Sequence, residues 1–275
     1  MLFRSAPWVP DDFWREWRAA VKQHRPDALT ISETWFDASK YFLGDMFDTT
    51  MNYIFRNSVL DYAGGGKAKQ MYANLELIRE VYPAQTFYAL MNLLSTHDAA
   101  RALHVFGFEG ERTEAEKIRL AKQQLRLAVF FQMIYPGAPT IYYGDEVGVT
   151  GGEDPYNRAT YPWADKGGKP DLALHADFKT LIKMRNDHPV LRHGTLDAPV
   201  YIDDNVIVLV RRLGSAIAVT ATNNADSART VNVKLPADLD ALEFREALTG
   251  ARVEAKNRAI TIDVPALFGR VLISR

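Results

Sequence analysis

The sequence predicts an α/β unit followed by an all-β unit, and three observations carry that reading. Up to residue 192, short apolar runs alternate with stretches of helical period. After Gly194 the pattern changes to short β-branched segments, "NVIVLVRR", "SAIAVTATN", "RTVNVKL" and "RAITIDVP", with turn residues but no helical period between them. The apolar runs of the first part also stop at polar clusters: Glu33, then His97-Asp98, then Asp145-Glu146. Alternating β and α segments imply a parallel sheet or barrel, a fold that places its chemistry at the carboxyl ends of its strands. The tail reads as an antiparallel β-sandwich. The predicted units are residues 1–192 and 193–275, and 275 residues suffice for both.

The elements follow in order. "PDDFWREWRAAVKQH" opens on Pro10 and two aspartates and repeats Phe13, Trp17, Ala20 and Val21 at helical spacing. "ALTISE" is a predicted buried strand, with Ala28, Leu29 and Ile31 as its apolar part. "GDMFDTTMNYIF" predicts a strand ending near Asn52, and the glycine run at 64–66 precedes a helix through "LELIREVYP". A strand is predicted over 91–94. The helix that follows has Ile118, Ala121, Leu125 and Val129 on one face and Thr113 as its cap. A short strand over 140–143 and a helix bounded by prolines, "PDLALHADFKTLIKMRNDHP", complete the first unit.

Composition narrows the function classes. Lys plus Arg is 33 and Asp plus Glu is 34, so charge balance gives no reason to expect nucleic acid or an anionic membrane as partner. There is no cysteine, hence no disulfide, thiolate metal site or thiol nucleophile. The most apolar run, "LAVFFQMIYPGAP", is broken by Gln132 and ends in a turn, and the N-terminal residues show no secretory pattern. A cytoplasmic location is the expectation. The six histidines never pair at metal-ligand spacing, no serine stands in a Gly-x-Ser-x-Gly elbow, and Gly64-Gly65-Gly66-Lys67 lacks the ending of a phosphate loop. Asp145 and Glu146 could ligate a cation, but adjacent acids more commonly mark a solvated loop. No metal and no cofactor is expected.

Glu33 and Asp98 are the candidate catalytic residues. Both follow strands at the same end of the predicted sheet. Two carboxylates facing one cavity can have their proton affinities driven apart, one protonated and one ionised, the working pair of glycoside hydrolysis. Asp98 also has a structural reading, as cap of a helix starting near Ala99.

Beyond this reading, the chain resembles the alpha-amylase family of glycoside hydrolases. "ISETWFDAS" and "GDMFDTTMNY" resemble its fifth and sixth barrel strands, "MNLLSTHDAAR" its seventh, and "GAPTIYYGDEVGVTGGEDPYNRATYPW" its eighth strand and following loop. The closest flavour is the cyclomaltodextrinase, neopullulanase and maltogenic amylase branch. The resemblance implies a partial (β/α)8 TIM barrel, roughly strands 5 to 8, followed by the family's C-terminal sandwich. It implies Glu33 as general acid/base and Asp98 as the carboxylate that stabilises the transition state. It further implies that His97 donates to the same sugar, that Trp35 stacks on the acceptor sugar, and that Asp154 and Arg158 bind substrate. Simple packing for Trp35, and a loop-shaping ion pair for Asp154 and Arg158, stand beside these. Substrates would be maltodextrins, cyclodextrins or starch, cut at α-1,4 bonds with retention. Calcium, used in parts of the family, is not carried over.

The departure lies at the start. A retaining enzyme needs a second carboxylate about 5 Å from the acid, in this family the Asp of a Gly-x-Arg-x-Asp motif ending strand four. Aligning Ala6-Pro7-Trp8 with the family places Ser5 on that Asp and Phe3 on the Arg; sliding by one places Arg4 on the Arg and Ala6 on the Asp. A serine hydroxyl is a weak nucleophile without a base beside it. The expectation is therefore an N-terminally truncated chain with open sheet edges. Its partners would be an α-glucan oligosaccharide and a second copy or a complement covering the missing half-barrel. The alternatives are a non-catalytic α-glucan-binding or assembly protein, or an inactive remnant.

Overall fold

The computed structural model describes residues 2–3, 6–110, 112–239 and 243–274, the first two by backbone alone. Its first part is β1 (Leu2–Phe3), α1 (Asp11–His24), β2 (Ile31–Ser32), β3 (Thr49–Asn52), α2 (Tyr53–Ala63), α3 (Ala68–Val81), α4 (Ala84–Phe87), β4 (Met91–Leu93), α5 (Ala102–Val105), α6 (Ala115–Ile134), β5 (Ala138–Thr140), α7 (Leu172–Asp187) and α8 (Pro189–His193). The five strands form one parallel sheet in sequential order. Its register pairs Leu2 with Ile31, Ser32 with Thr50, Asn52 with Asn92 and Leu93 with Thr140. Four strands were expected from the motifs; β1 is the fifth, and two residues are too few to show a period. The sequence-based assignments for Arg4 and Ser5 lie outside the described residues.

Several local expectations are corrected. β2 is only Ile31–Ser32, and Leu29 is half exposed. What is buried before it is Thr30, whose amide and hydroxyl both donate to Asp48 at 2.8 and 2.9 Å. Asp48 also pairs with Arg18 (2.7 Å) and Lys22 (2.9 Å), which ties α1 to the start of β3. In α1 the buried ring is Trp14, while Phe13 faces solvent. The cap of α6 is Glu114, and the Thr113 hydroxyl instead accepts from the Glu109 amide. α5 starts at Ala102 with Arg101 at its cap position, so Asp98 caps no helix. β5 lies two residues earlier than the predicted strand. The prolines at both ends of α7 behave as predicted, with Asp171 accepting from the Leu174 amide as N-cap.

The second part is all β: β6 (Thr195–Leu196), β7 (Tyr201–Ile202), β8 (Val206–Leu213), β9 (Ala216–Asn223), β10 (Arg229–Lys234), β11 (Glu243–Glu246), β12 (Arg252–Glu254), β13 (Ala259–Val264) and β14 (Phe268–Ser274). A large antiparallel sheet runs β12-β11-β14-β9-β8-β6, with β7 also on β8, and β10 and β13 pair as a second sheet. β13 buries Ile260, Ile262 and Val264 on one face only, the alternation of a half-solvated strand. β8 is buried on both faces. Val206, Val208 and Val210 meet Val231, Val233 and Ile262, whereas Ile207 and Leu209 join the core built from α2, α3, α6 and α7. α6 lies on β14, with Phe130 and Phe268 rings 4.9 Å apart. A methyl on Gly269 would come within 2.3 Å of the Phe130 ring and 2.4 Å of the Ala221 carbonyl, so glycine lets helix and strand approach.

Two buried arginines bind backbone carbonyls without a carboxylate, and one of them, Arg211, ties the second part to the first. Arg185 donates to the carbonyls of Met133, Tyr135 and Gly137. Arg211 donates to Ile134, Leu191, Gly194 and Thr195. Both sit at the carboxyl end of α6, where unpaired carbonyls and the helix dipole favour a cation.

Candidate active site

Because the strands are parallel and in register, the residue after each one emerges at the same end of the sheet. Glu33 follows β2, Tyr53 follows β3, Thr96 to Asp98 follow β4, and the loop of residues 142–158 follows β5. Ser32, Asn52 and Asn92 anchor these ends from within the sheet. Asn52 donates to the Asn92 side chain at 2.9 Å while accepting from the Phe55 amide, which fixes the start of α2 under Tyr53.

Glu33 is buried, 3% exposed. Its Oε1 accepts from the Trp35 indole Nε1 at 3.3 Å and from the Tyr53 hydroxyl at 3.4 Å. Oε2 is buried with no hydrogen-bond partner among the described residues. The Trp35 ring stacks on Tyr53, centroids 4.3 Å apart and planes 16° from parallel, and leaves its other face in solvent. The Tyr53 hydroxyl also lies 3.3 Å from Thr96 Oγ1, which accepts from the Asp98 amide at 3.2 Å. Burial pushes the Tyr53 phenol up, Thr96 pulls it partly back, and the charges of Glu33 and Asp98 push it up again, so it stays a neutral donor.

The Asp98 side chain is 3% exposed and meets His97 Nε2 at 3.2 Å and Arg158 Nη2 at 3.2 Å. Arg158 also pairs with Asp154 at 3.0 Å and donates to the His97 carbonyl at 2.9 Å. The structure thus brings all six sequence-selected residues to one end of the sheet, in two groups. Glu33 and Trp35 form one; His97, Asp98, Asp154 and Arg158 form the other.

Sequence reasoning missed the residues between and behind them. Tyr53 and Thr96 bridge the two groups. Behind Asp98, Arg101 is fully buried and donates to Asn157 O (2.9 Å), Tyr143 O (2.8 Å) and Asp145 Oδ1 (2.9 Å), with its guanidinium over the Tyr142 and Tyr143 rings. Asn157, also buried, donates back to Ala99 O at 3.0 Å. Asp145 is therefore no solvated loop acid. Burial pushes its carboxyl up to about 6, with Ser95 and Arg101 pulling the other way. Glu146 is half-buried and accepts from the Gly144 amide at 2.8 Å. Among the described residues no cluster of three or more His, Asp or Glu could hold a metal ion. No helix among them is long and apolar enough to cross a membrane.

Residues 7–188 match the alpha amylase catalytic domain family. The chain belongs to the alpha-amylase family. Its relatives include an amylopullulanase of Thermoanaerobacterium saccharolyticum, 37% identical over 97% of this chain and 23% of that protein. Another is neopullulanase 2 of Thermoactinomyces vulgaris, 34% identical over 96% of this chain and 43% of its own length. Among solved structures, a cyclomaltodextrinase superposes with a TM-score of 0.84 at 30% identity, over 97% of this chain and 44% of that one. The chain spans less than half the length of each of these relatives. The family and branch match the resemblance read from the motifs.

Proposed function

We propose that this chain carries the proton-donor side of an α-glucan-cleaving site. The supporting observation is that buried Glu33 and Asp98, whose side chain is 3% exposed, follow β2 and β4 and are joined through Tyr53, Thr96 and the Asp98 amide. In this reading Glu33 protonates the leaving glycosidic oxygen as the C1–O bond breaks and that bond's electron pair passes to the oxygen. Glu33 then takes a proton back from the attacking water. Asp98, held by Arg158 and His97, accepts from sugar hydroxyls as C1 gains positive charge. Trp35 offers its open face to a sugar ring, and His97, Asp154 and Arg158 line the glucan's path. We take residues 1–192 as part of a catalytic barrel and 193–275 as its sandwich.

Retention needs a second carboxylate on the opposite face of the sugar, and neither residue that the two registers place there, Ser5 or Ala6, is one. That position favours a second reading, in which the chain binds α-glucan and cleaves only with a complement. β1 and β5 are the outermost strands of the parallel sheet among the described residues, and a partner covering those edges would fit this reading.

The test is turnover of a chromogenic maltooligosaccharide by the full chain, by Glu33→Gln and by Ser5→Asp. The expected result is a loss of turnover in Glu33→Gln and a gain in Ser5→Asp. Equal turnover in the chain and in Glu33→Gln overturns the first reading. Binding without turnover in any variant leaves the second.

A further inference from the structure

We infer that Tyr53 and Thr96 are positioning residues that make the two oxygens of Glu33 unequal, reserving Oε2 for the proton that is delivered. The inference rests on Glu33 being the acid, as proposed above, and adds which oxygen acts and what fixes it.

The argument follows the hydrogens. The Asp98 amide can only donate, and it points at Thr96 Oγ1 at 3.2 Å. Thr96 Oγ1 therefore spends a lone pair on Asp98 and has its own hydrogen free. Its neighbour is the Tyr53 hydroxyl at 3.3 Å, where either atom could donate. Tyr53 has one hydrogen and two oxygen neighbours, Thr96 Oγ1 and Glu33 Oε1. If Thr96 donates to Tyr53, Tyr53 donates to Glu33, and every group is used once. The reverse would leave Glu33 without the phenol donor while Thr96 Oγ1 accepted twice. Bonds in such a chain polarise one another in the same sense. The satisfied arrangement runs Asp98 N–H to Thr96 O–H to Tyr53 O–H to Glu33 Oε1.

Trp35 reinforces the asymmetry, since its indole N–H also donates to Oε1. An oxygen that receives two N–H or O–H donors is a poor place for a proton. Oε2 has no hydrogen-bond partner among the described residues and is buried, so the proton of the neutral acid belongs there. The stacked Trp35–Tyr53 pair sets the rotation of the carboxyl plane, and with it the direction in which Oε2 presents its proton.

Tyr53→Phe keeps the stacked ring and deletes the hydroxyl. Thr96→Val removes the hydroxyl that completes the chain, and Thr96→Ser restores it. On a maltooligosaccharide with a poor leaving group, which must be protonated to depart, Tyr53→Phe is expected to lose roughly tenfold in kcat, a fraction of what a general acid supplies. With a good leaving group such as fluoride it is expected to change less than about threefold. Thr96→Val follows the same split more weakly, and Thr96→Ser returns to the parent value. A merely structural role would lower both substrates equally, and that outcome overturns the inference.

A second measurement needs no turnover. The Tyr53 hydroxyl proton is expected as a slowly exchanging, downfield NMR resonance that moves upfield in Glu33→Gln and disappears in Tyr53→Phe. A resonance unmoved by Glu33→Gln, or none at all, overturns the inference even in an active chain. If turnover is absent while the resonance behaves as expected, the proposed function fails and the hydrogen-bond chain stands.

Discussion

Replacing Arg101 with methionine tests how the loop of residues 142–158 is held against the Asp98 loop. Arg101 is fully buried and makes three charge-assisted bonds, to Asn157 O, Tyr143 O and Asp145 Oδ1. Methionine fills much of the volume, so the cavity term is small. Two carbonyls lose a donor, at about 1 kcal/mol each, and the Asp145 carboxylate loses its buried partner, at about 2–3 kcal/mol. The sum is about 4 kcal/mol. Unfolding entropy is about 2.1 cal/mol/K per residue, so for 275 residues the melting temperature falls by roughly 7 °C. Differential scanning calorimetry measures it. The added change Asp145→Leu removes the stranded carboxylate, and the double variant is expected to regain about 2 kcal/mol over Arg101→Met. A single variant costing under about 1 kcal/mol, or a double variant less stable than the single, would refute the claim that this pair carries the loop.

Two further predictions concern the frame. Asp48 is pushed up by burial and down, more strongly, by Arg18, Lys22 and Thr30, so its folded carboxyl sits well below the ordinary value. Its stabilising contribution is present above the unfolded carboxyl's titration and is lost as pH falls through the folded one. Asp48→Asn is therefore expected to lower the unfolding free energy from urea titration at pH 7 by roughly 1–2 kcal/mol after solvent screening, with the gap to the parent narrowing steadily as pH falls below the ordinary carboxylate range; parallel pH profiles would contradict it. Gly269→Ala forces a methyl onto the Phe130 ring and the Ala221 carbonyl. A loss of about 1–3 kcal/mol in chemical denaturation is expected, and an unchanged midpoint would show that α6 and β14 have room to part.

The sequence made the strand ends legible because each carries its chemistry in a contiguous run: Glu33 directly after Ile31-Ser32, and His97-Asp98 a few residues after Met91–Leu93. The all-β tail was legible from its change of period. What stayed hidden depends on partners far along the chain. Asp145 looks like half of a solvated acidic pair until Arg101, 44 residues earlier, is placed against it. Leu29 looks buried until Asp48 claims Thr30 instead. Tyr53, the first residue of α2, stands in no polar cluster that would mark it. One signal could have found it: it follows β3 as Glu33 follows β2, and parallel register brings both to one place.

That register also explains why, on the proposed reading, the acid side of the site can be specified by so short a stretch of chain. Both donors to Glu33 come from residues 35 and 53, and Thr96 is the next link. These residues follow β2, β3 and β4, three adjacent strands held by backbone pairing and by the Asn52–Asn92 bond inside the sheet. The geometry of Glu33 is thus set by neighbours in the sheet, whatever stands beyond β1. The proton donor and the attacking carboxylate of a retaining site face opposite sides of the sugar and need share no contact with each other. On the proposed reading, Ser5→Asp adds a carboxylate and leaves the donors to Glu33, Trp35 and Tyr53, as they are. Such a variant can gain turnover only if Glu33 is already in place.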